Sequence, residues 1–144
     1  MGASFIAYCK MKDTSMGYGT VHVIRSCLLK MLDSIKGTSY AERFEILTEK
    51  NHRMKTEDIV SEWKKFARDL FEDCRSEYRL YGIYLFVNHS DCDGTFSGDD
   101  CSEIAASLRM LLDSDIDLSY AECAIENLYD VFSEVDSDGL VEIC

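Results

Sequence analysis

Two short acidic stretches with the same pattern constrain the fold of this chain more than any other feature. Residues 91–94 and 136–139 both read Asp-x-Asp-Gly and lie about 45 residues apart. Each follows a stretch in which apolar residues recur every three or four positions, the spacing of an amphipathic helix. Acidic side chains followed by a glycine, placed after a helix, predict a turn that gathers oxygen atoms around a hard cation.

The first stretch lies in the first loop, which we define as residues 89–100. An EF-hand calcium loop takes oxygen ligands at positions 1, 3, 5, 7 and 9, has glycine at 6 and closes with an acid at 12. Gly94 falls at position 6, and Phe96 falls at position 8, where paired loops form a short backbone bridge. The predicted ligands are side chains and one backbone carbonyl, from Asp91, Asp93, Thr95, Ser97 and Asp100. His89 departs from the pattern, because a hard cation disfavours a nitrogen ligand.

The second stretch lies in the second loop, residues 134–144, where Gly139 falls at position 6 and Val141 at position 8. The predicted ligands are four carboxylates and one backbone carbonyl, from Glu134, Asp136, Asp138, Leu140 and Glu142. The printed sequence stops at position 11, before the closing acid. Weak binding of Ca2+, with Mg2+ as the other hard cation, is therefore predicted for both loops. An ordinary Asx-rich turn is the alternative interpretation of either stretch.

The distribution of charge agrees with a cation as partner. Residues 1–87 carry 14 basic and 12 acidic side chains, whereas residues 88–144 carry 15 acidic side chains and Arg109 alone. Nucleic acid is an unsuitable partner for this acidic part, because its phosphates would be repelled. A solvated acidic surface remains the other interpretation, since charge alone does not separate the two.

Helical spacing predicts an all-α fold. Apolar residues recur at this spacing over roughly 21–33 and 56–74, and again in stretches that begin near residues 78, 104 and 121. The chain has no proline, and we see no convincing alternation of a strand. The tetrapeptide Ser-Tyr-Ala-Glu occurs twice, at 39–42 and 119–122, with the spacing of a helix capping box.

This repeat and a second echo at a similar offset, around Gly19 and Gly94, suggest a duplicated half. We expect an N-terminal pair of helix–loop–helix units over 1–74 and a C-terminal pair over 75–144. The corresponding loops of the first half, 14–25 and 47–58, have lost most of their acids. We therefore expect them to be structural partners of a neighbouring loop rather than ion sites.

The stretch from Trp63 to Asp69, which reads W-K-K-x-A-x-D in outline, resembles the sarcoplasmic calcium-binding proteins and the related calcium-activated photoproteins. The order of the units agrees over almost the whole chain, except for the first twenty residues. This resemblance implies four EF-hand units in two pairs, folded into one compact globule. It also implies calcium buffering or signalling as the role.

The leading functional expectation is thus a divergent calcium buffer or sensor with weak C-terminal sites. The alternative is an ion-independent scaffold that holds a partner helix in an apolar groove. A carrier of a small apolar ligand is a third interpretation. No enzyme is expected, because the three histidines (22, 52 and 89) are not set beside a nucleophile in a recognisable motif.

The sequence also gives an expectation for the cellular location of the protein. No apolar run approaches the roughly 18 residues of a membrane span, and the first residues lack the pattern of a secretory signal. We expect a cytoplasmic protein, and the odd count of seven cysteines is then best explained as free thiols.

Overall fold

The computed structural model describes residues 2–53, 57–90 and 93–144, and within these ranges the chain forms six α-helices and four β-strands. In chain order the elements are β1 (Gly2–Ala7), β2 (Lys12–Gly17), α1 (Tyr18–Lys36), α2 (Tyr40–Arg53), α3 (Glu57–Cys74), α4 (Tyr78–Asn88), β3 (Thr95–Ser97), α5 (Gly98–Asp113), α6 (Glu122–Phe132) and β4 (Leu140–Ile143). Short 3-10 turns lie at Tyr8–Lys10 and Ser119–Ala121.

The four strands form one antiparallel sheet in the order β2-β1-β4-β3. The prediction of an all-α fold made of four helix–loop–helix units in two pairs was therefore wrong. A β-hairpin, β1 and β2, precedes the first helix, and β1 pairs along β4 from the other end of the chain.

The hairpin has a period of two that sequence reasoning overlooked. Ala3, Phe5 and Ala7 are all fully buried, and the residues between them are half-buried. Two of the three inward side chains are alanines, which give a weak apolar signal beside a run of leucines. The segment with this alternation forms strand β1 because Phe5 packs into the core and because β1 pairs with β2 on one side and β4 on the other.

The helices agree better with the periodic pattern. α1 contains the predicted stretch 21–33, and it ends at Gly37, whose φ of +69° is the left-handed conformation of a helix C-cap. α3 agrees with the predicted stretch 56–74 over the residues that are described. Trp63 of this helix is half-buried and packs against the core.

The predicted capping boxes were wrong in detail. The carboxylate of Asp33, at the end of α1, accepts the backbone N–H groups of Tyr40 and Ala41 at 2.8 and 2.9 Å and so caps α2. At the second tetrapeptide, Ser119 has a φ of +56° in a 3-10 turn, and no side chain caps α6. Asp33, a residue outside the first tetrapeptide, therefore takes the capping place there.

One hydrophobic cluster includes buried residues from both parts of the chain. Its aromatic centre brings Phe5 of β1 to 6.0 Å from Phe86 of α4 and 6.1 Å from Phe132 of α6, measured between ring centroids. Phe96 of β3 lies 5.2 Å from Phe132. The strands and the helices that lead into the two loops are thus held by the same aromatic contacts.

The division of the chain into 1–74 and 75–144 stays a prediction. In the part of the chain that the structure describes, no helix is both long and apolar enough to cross a membrane.

Candidate functional site

The two predicted loops lie side by side. The first loop joins α4 to α5 and the second follows α6, and their strands β3 and β4 pair antiparallel with Phe96 opposite Val141. These two residues occupy position 8 of each predicted loop. The N–H of Ile143 also donates to the Gly94 carbonyl oxygen at 3.0 Å. The backbone bridge that the spacing predicts is therefore present.

Two glycines allow the loops to come this close. Gly94 has a φ of +110°, a conformation that favours glycine, and it confirms the turn predicted at position 6. A Cβ at Gly98 would lie 1.9 Å from the carbonyl oxygen of Asp136, so the start of α5 packs directly on the backbone of the second loop. The loop pattern gives no role to Gly98, and sequence reasoning missed it.

The predicted ligands of the first loop differ in their exposure to solvent. Asp93 and Ser97 are exposed and Asp100 is half-buried, whereas Asp91 lies outside the described residues. The Ser97 hydroxyl accepts the backbone N–H of Asp100 at 3.2 Å and thereby caps α5. This confirms the cap that the sequence predicts at Ser97.

The imidazole of His89 contacts the backbone of its own loop. Its Nε2 lies 3.1 Å from the Thr95 carbonyl oxygen, and its Nδ1 lies 2.7 Å from the Ser90 carbonyl oxygen. The ring also stacks on Phe96 with 3.9 Å between centroids. A carbonyl oxygen only accepts, so both contacts are hydrogen bonds when both ring nitrogens carry a proton. His89 thus approaches the carbonyl that the loop pattern gives to the cation.

A guanidinium completes the first loop at the end of α4. Arg25 of α1 donates from Nε to the Phe86 carbonyl oxygen at 3.2 Å, and from a terminal nitrogen to the His89 carbonyl oxygen at 2.6 Å. The last carbonyls of a helix have no partner within it and carry partial negative charge. Arg25 therefore supplies positive charge where α4 enters the loop.

Lys10 has the same role at the second loop. Its ammonium donates to the Asp130 carbonyl oxygen at 2.6 Å and also to the carbonyl oxygen of Ser133, at the end of α6. Nothing in the local sequence indicates this contact, because Lys10 lies in the turn between β1 and β2. Sequence reasoning missed both Lys10 and Arg25 as parts of the site.

The acids of the second loop point mainly to solvent. Glu134, Asp136 and Asp138 are all exposed. The exception is Glu142, whose carboxylate accepts the Tyr8 hydroxyl at 3.2 Å, and the negative charge of Glu142 raises the pKa of Tyr8. These carboxylates give the second loop a negatively charged, largely solvent-exposed surface.

Among the residues that the structure describes, no group of three or more His, Cys, Asp or Glu side chains is arranged to hold a metal ion. Leu140 is a half-exposed strand residue opposite Ser97, and Thr95 lies opposite Glu142. The backbones of the two loops are brought together, whereas the described carboxylates form no group of this kind. Because Asp91 is not described, the ligand set of the first loop stays a prediction.

The two degenerate loops of the first half have other structures. Residues 14–25 form the end of β2 and the start of α1, with no loop between them, so that expectation was wrong. Of residues 47–58, the first seven belong to α2 and the last two to α3, and Met54 lies outside the described residues.

Comparison with known proteins gives no relative. No protein-family model matches the chain, and no curated protein or solved structure is similar to it at a significant level.

Proposed function

We propose that this protein is an ion-independent helical scaffold that binds a protein partner, with two paired loops held in shape by its own cationic and imidazole side chains. One observation carries the ion independence of this proposal. His89 Nε2 lies 3.1 Å from the Thr95 carbonyl oxygen, the atom that would coordinate a cation at position 7. An N–H donor at that place satisfies the carbonyl without an ion.

Two further contacts support the same reading. Arg25 and Lys10 each donate to carbonyl oxygens at the end of the helix that leads into a loop. Both cationic side chains belong to the N-terminal part of this chain, so they are brought to the ends of α4 and α6 when the chain folds. A loop whose positive charge is built in keeps its geometry at any calcium concentration.

Thermal unfolding with and without ion tests this proposal. We expect the same melting temperature, within about 1 °C, in chelator, in Ca2+ and in Mg2+ at about 1 mM. An ion present at a hundredfold excess over its Kd adds about 2.7 kcal/mol to the free energy of unfolding. Each kcal/mol moves the melting temperature by roughly 2–8 °C in domains of this size range. A calcium-dependent rise above about 5 °C would therefore overturn ion independence.

A weak calcium buffer or sensor is the second candidate. It is favoured by the pairing of Phe96 with Val141 and by the exposed carboxylates Glu134, Asp136 and Asp138, none of which forms an ion pair within the described ranges. Repulsion between clustered acids would be relieved by a divalent ion, tightening the loops. Isothermal titration separates the candidates, since heat of binding below millimolar Ca2+ favours this one.

We also propose a cytoplasmic and non-catalytic role. The described cysteines are free, and three of them, Cys9, Cys123 and Cys144, are exposed. Exposed thiols persist in a reducing compartment. Mass measurement of the protein purified from cells under alkylating conditions tests this, and disulfides in that sample would contradict it.

A further inference from the structure

A groove of about 400 Å³ follows α5 along the face that carries Ser102, Ala106 and Asp113. Ala106 and Met110 form part of its floor. Tyr78, at the start of α4, and Tyr129, near the end of α6, stand at its sides, and Tyr78 is 61% exposed. Glu134 and Val135, the first residues of the second loop, also line the groove, whereas no residue of β3 or β4 does.

One edge of the groove already holds a cation. The Arg109 guanidinium lies 2.6 Å from a carboxylate oxygen of Asp113, and it stands 5.6 Å from the centre of the Tyr129 ring. The hydrogen bond to Arg109 lowers the pKa of Asp113, although both side chains are exposed. A carboxylate and an aromatic face thus form a seat for a guanidinium.

The charge around the groove determines what suits it. The lining itself is balanced, with Arg79 and Arg109 against Asp113 and Glu134. The two helices α5 and α6 that line it are not, because together they carry seven acids and Arg109 as their one basic residue. A cationic partner is therefore drawn toward this face, and an anionic one is repelled.

We propose that this groove is the docking site of a basic amphipathic helix from a partner protein. Apolar side chains of the partner lie over Ala106 and Met110, and its Arg or Lys side chains meet the acids of α5 and α6 and take the place of Arg109 beside Asp113. The groove extends from Ser102 to Asp113, which is about three helical turns or about 17 Å. This inference rests on the proposed scaffold function, since it names the partner.

Fluorescence anisotropy with two labelled synthetic peptides tests the inference on the full chain in chelator. Both peptides have about 18 residues, with leucine at one helical face, and the other face carries Lys and Arg in one peptide and Glu in the other. We expect the basic peptide to bind at least tenfold more tightly than the acidic one. We also expect its affinity to fall as salt is raised, because the attraction is largely electrostatic.

Variants locate the binding. Ala106→Arg places a bulky cation on the floor and should weaken binding of the basic peptide at least tenfold. Ala67→Arg, the same change on α3 outside the groove, should leave it unchanged. Arg109→Ala should strengthen binding severalfold, because it frees the Asp113 carboxylate and the Tyr129 ring. Circular dichroism confirms that each variant is folded.

The outcomes separate this inference from the proposed function. Equal affinity for both peptides, loss of binding in Arg109→Ala, or an effect of Ala67→Arg equal to that of Ala106→Arg would overturn the groove as a site for a basic helix. A dimer in sedimentation that Ala106→Arg abolishes would assign the groove to a second copy and also overturn it. Calcium-dependent melting together with charge-selective peptide binding would instead overturn only ion independence.

Discussion

The ammonium nitrogen of Lys10 lies 2.6 Å from the carbonyl oxygen of Asp130, which joins the turn after β1 to the last turn of α6. These residues are 120 positions apart in the chain. The C-terminal end of a helix carries partial negative charge, and a cation placed there stabilises the helix. Lys10 therefore caps the C-terminal end of α6, which leads into the second loop, and Arg25 caps the C-terminal end of α4 in the same way.

Lys10→Met tests the energetic weight of this contact. The variant keeps the aliphatic chain but removes the ammonium, leaving carbonyl oxygens at the end of α6 without their donor. We expect the free energy of unfolding to fall by about 1–2 kcal/mol, as for hydrogen bonds to charged groups. Urea denaturation measures it, with Lys12→Met as the control, because Lys12 is exposed. A control effect as large as that of Lys10→Met would contradict the assigned role.

His89→Asp converts the first loop toward a calcium site. The substitution removes the imidazole that approaches the Thr95 carbonyl and supplies a carboxylate at position 1. In chelator, we expect the variant to be less stable than the parent by about 1–2 kcal/mol, because an unpaired acid joins an acidic loop. Calcium at about 1 mM should then raise its melting temperature by several degrees.

Asn88→Asp is the matched control for this experiment. It adds the same charge one residue earlier, at an exposed position at the end of α4. We expect no calcium-dependent stabilisation of this variant, since its carboxylate lies outside the loop positions. A calcium response of equal size in both variants would show that net charge, rather than the place of the carboxylate, controls the response.

Local spacing predicted the parts of the site that local geometry controls. The turn at Gly94 and the alignment of Phe96 with Val141 follow from positions counted along a single segment. The helices with strong apolar periodicity were also predictable, because a repeating pattern over many residues leaves few alternatives.

The rest depends on contacts between distant segments, which a single sequence does not encode in any local pattern. β1 became a strand because it pairs with β2 and β4. Asp33 took the capping place expected of Ser39, because the turn between α1 and α2 brings its carboxylate to the start of α2. Such contacts are decided by the fold as a whole rather than by propensity.

Thiol reactivity should divide the cysteines by burial. Burial raises the pKa of Cys74 and of Cys101 to about 12 in each case. The reactive thiolate is therefore nearly absent at about pH 8. We expect a short iodoacetamide pulse to label the exposed thiols of Cys9, Cys123 and Cys144 at least tenfold faster than the buried thiols of Cys74 and Cys101. Peptide mass spectrometry measures the labelling of each cysteine. In urea this difference should disappear, and rapid labelling of Cys101 in the folded protein would contradict its burial.

Glu103 should make stability depend on pH in a direction opposite to that of a paired carboxylate. Its Oε2 is buried without a hydrogen-bond partner among the described residues, and burial, followed by the charge of Asp100, raises its pKa. The folded protein thus holds this proton more tightly than the unfolded chain does. The contribution of Glu103 to stability is complete below its ordinary pKa and is lost as the pH rises through the raised value.

Glu103→Gln removes this titration. At about pH 7 we expect the variant to unfold with a free energy up to about 1 kcal/mol higher than the parent, because no buried charge remains. The difference should shrink or reverse at about pH 4, where Glu103 is mostly protonated in both states. Glu122→Gln serves as the control, since Glu122 is exposed in the first turn of α6. Urea denaturation across this pH range measures the difference, and a constant offset between the parent and Glu103→Gln would show that the proton on Glu103 has no part in stability.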